Sequence, residues 1–114
     1  TVSAKIALAA YADKHSIPLI SSMGTGNKLH PELFRISDLK DTSVCPLCRV
    51  MRKELKTRGI QSLKVCWSPE KPLTPAPAEE DTGSSRATPG SISFVPPAAG
   101  LMITGEIVRT ICGL

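Results

Sequence analysis

Aromatic residues are scarce in this chain: one Trp, one Tyr and two Phe in 114 residues, about 4%. The core is therefore expected to be aliphatic. There are two histidines, at 15 and 30, and neither has a Ser, Cys or carboxylate at a spacing that implies a triad. No Walker sequence, HExxH or GxSxG occurs. Four cysteines are too few for a disulfide framework and read as reduced thiols of a cytosolic chain. No uninterrupted apolar stretch reaches the ~18 residues of a membrane span, since the longest one, from Ile92, is broken by Pro96, Pro97, Glu106 and Arg109. The expected localisation is cytoplasmic, with no membrane partner. The first residue is Thr, and no basic-then-apolar leader follows, so the expectation is a chain without a signal peptide, cut from something longer.

Apolar residues make up 41%, charged residues 21%, and the net charge is +4, the balance of one soluble domain that tolerates an anionic partner. Ten prolines cluster. From Pro69 to Pro89 five prolines, four acids and many Ser, Thr and Ala leave too little apolar surface to offset ordering entropy. The organisation read from this is a central α/β part over 1–68, a flexible Pro- and acid-rich insertion over 69–89, and a closing strand and helix of the same domain over 90–114.

The spacing predicts a helix over 3–14 with Val2, Ile6, Ala9 and Ala10 on its apolar side and Ala12 elsewhere. Ile17 to Ser22 predicts a buried parallel strand. Leu33 to Ile36 alternates like a strand, and Asp38 to Ser43 offers caps for a helix over 44–58 with the stripe Val44, Leu47, Met51, Leu55. Gly59 is expected to stop that helix, with a strand over 62–67 after it. Ser91 to Val95 alternates as a further strand, and a largely buried helix is expected over 98–112. The fold class is α/β, with a mixed sheet and flanking helices.

Three features offer chemistry. The loop Ser21, Ser22, Met23, Gly24, Thr25, Gly26, Asn27, Lys28 follows a strand, where α/β sheets place ligand loops. Its amides and donors suit a phosphate or carboxylate, although the third glycine of a dinucleotide fingerprint is missing and a plain turn needing positive φ explains the glycines equally well. On helix 44–58, Arg49, Arg52, Lys53, Lys56 and Arg58 oppose only Glu54. That stripe either holds an RNA backbone or is a solvated face. Cys45-Pro46-Leu47-Cys48 has the spacing of a zinc half-site or a redox pair at a helix N-terminus, which lowers a thiol pKa. No second pair exists, so no metal site is expected; core thiols are the reading, with a zinc- or thiol-carrying interaction module as the alternative.

The blocks Ala4-Lys5-Ile6-Ala7-Leu8, Ile17 to Leu29, Phe34 to Leu39, Thr42 to Leu47, Val50 to Leu55, Arg58-Gly59-Ile60 and Gly90 to Pro96 resemble the E1-like adenylating superfamily of ThiF, MoeB and HesA. They are most similar to its tRNA threonylcarbamoyladenosine dehydratase branch. The resemblance implies the C-terminal half of an E1-like fold. It also implies a parent that uses ATP with Mg to activate the threonylcarbamoyl carboxylate on a tRNA adenosine and to close the ring, as a ligase-type homodimer. The ATP loop would lie outside this chain, which alone would be inactive and would carry no catalytic residue. Ser21, Ser22, Met23, Gly24, Gly26, Asn27 and Lys28 would line the substrate pocket, and Arg49, Arg52, Lys53 and Lys56 would hold tRNA. A sulfur-carrier or ubiquitin-like-protein activating enzyme is the alternative within the superfamily, weakened by the absence of cysteine in 69–89.

Overall fold

The computed structural model describes residues 2–73 and 90–114. Its elements are α1 (Val2–Lys14), β1 (Ile20–Ser22), β2 (Arg35–Asp38), α2 (Pro46–Thr57), β3 (Lys64–Trp67) and α3 (Val95–Cys112), with single 3-10 turns at Pro31–Leu33 and Leu39–Asp41. The three strands form one mixed sheet in the order β1-β3-β2. β1 runs parallel to β3, with Ser21 opposite Val65, and β2 runs antiparallel to it, with Ile36 opposite Cys66.

The pleat of β3 sorts the core into two layers, since successive side chains point to opposite faces. Val65 and Trp67 meet Ile6 and Ala9 of α1 and Cys48, Met51 and Leu55 of α2. Cys66 faces the other way, onto Phe34 and the first turn of α3 at Val95 and Ala99. The result is three layers: two helices, a sheet and one helix. Trp67 carries the one indole of the chain, and its Nε1 donates to Ser37 Oγ at 2.9 Å, so its polar atom is satisfied next to the core.

Several expected elements shift. β1 is three residues long, not six, and lies half-buried at the sheet edge, because β3 takes the central position. On α1 the buried residues are Ile6, Ala9 and Ala12, while Val2 is exposed. The second strand begins at Arg35, since Pro31 starts a 3-10 turn that holds Leu33. α2 begins at Pro46, two residues later than expected: Val44 adopts a left-handed φ of 66° outside the helix, and Cys48 takes its place on the inward side beside the expected Leu47, Met51 and Leu55. Gly59 does stop the helix, with φ 73°.

Residues 91–95 are not a strand. Ile92 and Phe94 are exposed, and Val95 already opens α3, because Pro96 and Pro97 fix helical φ and lack the amides a ladder needs. Nor is α3 largely buried: only Val95 and Ala99 are. An 18-residue helix extends ~27 Å, and three short strands ~5 Å apart form too narrow a sheet to cover it. Of the expected insertion 69–89, residues 74–89 lie outside the described residues.

Candidate functional site

The Ser21–Lys28 segment leaves the C-terminal end of β1 and is tied down on every side. Met23 donates its amide to Cys66 O at 2.8 Å and buries its side chain in the core between the sheet and α2. The Ser22 carbonyl accepts from Lys5 Nζ of α1 at 2.9 Å. Asn27 has φ 57°, a left-handed conformation that its short amide side chain tolerates. Neither Gly24 nor Gly26 has a positive φ, so the turn reading of the glycines fails on conformation.

Asn27 is the knot of this segment. Its amide donates to Gly90 O at 2.8 Å, its side-chain Oδ1 accepts from Gly90 N at 2.7 Å, and its carbonyl accepts from Leu73 N at 2.7 Å. Glu70 holds the exit of the segment: its carboxylate accepts from the amides of Leu29 and His30 at 2.8 and 3.0 Å. Composition alone placed Glu70 in a solvated insertion, and nothing in its neighbourhood signals the role.

Lys28 is buried, with 5% of its surface exposed. Its Nζ lies 3.8 Å from the point where a side chain on Gly24 would begin, and Cys45 Sγ lies 3.9 Å from the same point. Gly24 thus allows an ammonium and a thiol to approach one stretch of backbone. Among the described residues no hydrogen-bond or ion-pair partner accompanies that ammonium. The fold therefore brings together two features that are separate in the sequence, the glycine loop and the Cys45-x-x-Cys48 turn.

Cys45 caps α2 and Cys48 sits in its first turn; both are buried. No side-chain hydrogen bond of capping geometry closes the helix N-terminus. The Cys45 sulfur nevertheless faces the Cys48 thiol and the amides of Cys48, Gly24 and Leu47, and the Cys48 thiol above all holds the Cys45 thiol down to about 5, against the desolvation that raises it. Cys48 is pushed the other way, above the ordinary thiol range, by its bond to Cys45 and by burial. Burial alone raises Cys66. Among the described residues no group of three metal-ligating side chains gathers.

On α2, Arg49, Lys53 and Lys56 are exposed at i, i+4 and i+7, one line along the helix. Arg52 stands apart. Its guanidinium donates to Thr42 O at 3.0 Å and also to Thr42 Oγ1, while Thr42 Oγ1 donates to Leu39 O at 2.7 Å. Arg52 thus braces the turn before Cys45. No α2 cation is in an ion pair among the described residues; the pairs there join His30 to Glu32, and Lys64 and Arg109 to Glu106.

A small α/β unit with a strand-end loop of this kind defines the class, and comparison with known proteins narrows it. No family model matches the chain. It is 36% identical over 117 residues to the tRNA threonylcarbamoyladenosine dehydratase of Bacillus subtilis, covering 95% of this chain and 46% of that protein. It is 42% identical over 86 residues to tRNA threonylcarbamoyladenosine dehydratase 2 of Saccharomyces cerevisiae, covering 69% of this chain and 19% of that protein. Its fold matches the crystal structure of Escherichia coli tRNA N6-threonylcarbamoyladenosine dehydratase with a TM-score of 0.83 at 23% identity, over 99% of this chain and 46% of that one. The same enzyme has also been solved with ATP, where the TM-score is 0.78 over 96% of this chain and 43% of that one.

Along nearly its whole length the chain is similar to the tRNA threonylcarbamoyladenosine dehydratases, and it shares their fold. It spans about half the length of the Bacillus relative and less of the yeast one.

Proposed function

We propose that the chain is the C-terminal half of an ATP-dependent tRNA threonylcarbamoyladenosine dehydratase, and that the Ser21–Lys28 loop holds the anionic end of the reacting groups. The observation that carries this is Lys28, 5% exposed as a residue, with its ammonium over Gly24 at the end of a parallel strand, in a chain similar along 95% of its length to a dehydratase of that name. A cation whose stem is packed into the fold is held in place for an anion, and a carboxylate or phosphate supplies one. The residues present suit the phosphate or carboxylate end of the reactants; nothing among them offers a base or ribose pocket, which is assigned to the rest of the protein together with Mg.

ATP supplies the activating group for the threonylcarbamoyl carboxylate, so that ring closure proceeds with net loss of water. This chain's part is electrostatic. Lys28 and the backbone around Gly24 fix and neutralise the carboxylate or phosphate, and Lys5, held on the Ser22 carbonyl, adds positive charge behind the loop. The tRNA backbone lies along Arg49, Lys53 and Lys56. Arg52, assigned to tRNA by sequence, supports that surface through Thr42. The enzyme works in the cytoplasm as a homodimer.

The test uses the full-length protein with ATP, Mg and tRNA bearing threonylcarbamoyladenosine, and mass analysis of the released nucleosides. The expected product is the nucleoside lighter by one water. Lys28→Met keeps the apolar stem and is expected to slow single-turnover closure by roughly 100-fold with little change in tRNA affinity. Absence of the lighter nucleoside with the unaltered protein sinks the reading.

A further inference from the structure

The Cys45–Cys48 pair is not needed for the proposed reaction, yet it is built into the same loop. Cys45 is the cap residue of α2, Pro46 begins the helix, and Cys48 completes the first turn, so the two thiols sit on one side of the helix start and interact electrostatically. This spacing at a helix N-terminus suits both a nucleophilic thiolate and an intramolecular disulfide. Around the Cys45 sulfur stand the amides of Gly24, Leu47 and Cys48, and the Lys28 ammonium lies over the same Gly24. Behind Cys48 stand Thr42 and the Arg52 guanidinium. The two remaining thiols differ: Cys66 is buried between the sheet and α3 in a cluster that holds no second thiol, and Cys112 is exposed at the end of α3.

We propose that Cys45 and Cys48 form a peroxide-reactive dithiol whose oxidation to a disulfide alters the Ser21–Lys28 loop through Gly24. In the first step the Cys45 thiolate attacks one oxygen of hydrogen peroxide. The S–O bond forms, the O–O bond breaks, and the departing hydroxide takes the Cys48 proton and leaves as water. In the second step the Cys48 thiolate attacks the Cys45 sulfur, the S–S bond forms, the S–O bond breaks, and the hydroxide released is protonated by solvent. The two sulfurs lose two electrons and the peroxide gains them. A small dithiol such as dithiothreitol reverses the change by exchange.

The coupling follows from charge. In the reduced state the thiolate is an anion at the edge of the loop, facing the Gly24 amide. The disulfide is neutral and a weak acceptor, so the Gly24 amide loses its partner. The chemistry of the pair stands without the proposed enzymatic function; only an effect on turnover rests on that reading.

The experiment treats the full-length protein, with Cys112→Ser to suppress crosslinks between molecules, with a few equivalents of hydrogen peroxide, followed by alkylation, digestion and mass analysis. The expected result is a Cys45–Cys48 disulfide, lighter by two hydrogens, reversed by dithiothreitol and formed before Cys66 reacts. With Cys48→Ser the reaction is expected to stop at a sulfenic acid on Cys45 that dimedone captures. Hydrogen exchange at the Gly24 amide is expected to accelerate at least tenfold on oxidation of the parent protein, a measurement that needs no further variant. Oxidation of Cys66 ahead of the pair overturns the proposal, as does a pair that stays reduced or one that proves to hold a stoichiometric metal ion. Unchanged exchange at Gly24 overturns the coupling.

Discussion

Val44 carries a cost that its side chain does not recover. A β-branched residue at φ 66° is strained by about 1–3 kcal/mol, and Val44 is 55% exposed, so it gains little from packing. Val44→Gly removes the strain and adds unfolded-state entropy of ~0.5–1 kcal/mol against it. The expected net effect is a stabilisation of about 1 kcal/mol, read as a higher urea midpoint; a lower midpoint contradicts this account. Next to it, Cys45 ties stability to pH. Its thiol titrates at about 5 in the fold and near 9.0 when unfolded, so between those values the unfolded chain binds the extra proton. Stability from this group therefore rises with pH across that window and is lost as pH falls towards 5. Cys48, shifted upwards, opposes the trend only above its own unfolded value near 9.0. Urea midpoints of the parent and Cys45→Ser are expected to diverge from pH 5 to pH 8, in favour of the parent. Parallel curves refute the thiolate.

At the scale of elements, the proposed function divides the cations of α2 between two tasks. Arg52→Ala is expected to destabilise the fold by about 1–3 kcal/mol, because Thr42 loses a charged donor at the turn that leads to Cys45, and to leave the salt dependence of tRNA binding almost unchanged. Lys53→Ala and Lys56→Ala are expected to do the reverse, each lowering the salt slope by roughly one unit at unchanged stability. Filter binding across a salt series, beside thermal unfolding, separates the two; equal slopes for all variants reduce the stripe to a solvated face.

The same element shows what sequence reading can reach. Gly59, the inward Met51 and Leu55, and the strand run over 62–67 marked α2 and β3, since each is a local signal of period, composition or conformation. The period-2 pattern of Ser91 to Val95 misled because the two prolines after it decide the backbone first. At the candidate site the loop was legible as a glycine-rich strand end. The approach of Cys45 to Gly24, the bracing of Arg52 and the hold of Glu70 on Leu29 and His30 were not, because each joins residues far apart in sequence through tertiary packing.

For the molecule as a whole, the narrow sheet leaves surface unspent. Leu101, Val108, Ile111 and Leu114 on and after α3 are exposed, Ile111 by 79%, and β1 has a partner on one side only among the described residues. Apolar surface of this kind and a free strand edge both favour association, through either a second copy or a further part of the same protein. Light scattering on the chain as given is expected to show a mass above the monomer, and Leu101→Asp with Ile111→Asp to restore the monomer. A monomer at all concentrations with the unaltered chain removes the argument.

The triple attachment at Asn27 has a further consequence. Leu73 and Gly90 meet at one residue, so the stretch between them begins and ends at a fixed gate. Closing a loop whose ends are already joined costs only ~0.6 kcal/mol for each doubling of its length. Selection acting on the loop chemistry therefore places little restraint on how long that stretch is, and the molecule can lengthen or shorten there while the geometry beside Lys28 stays as it is.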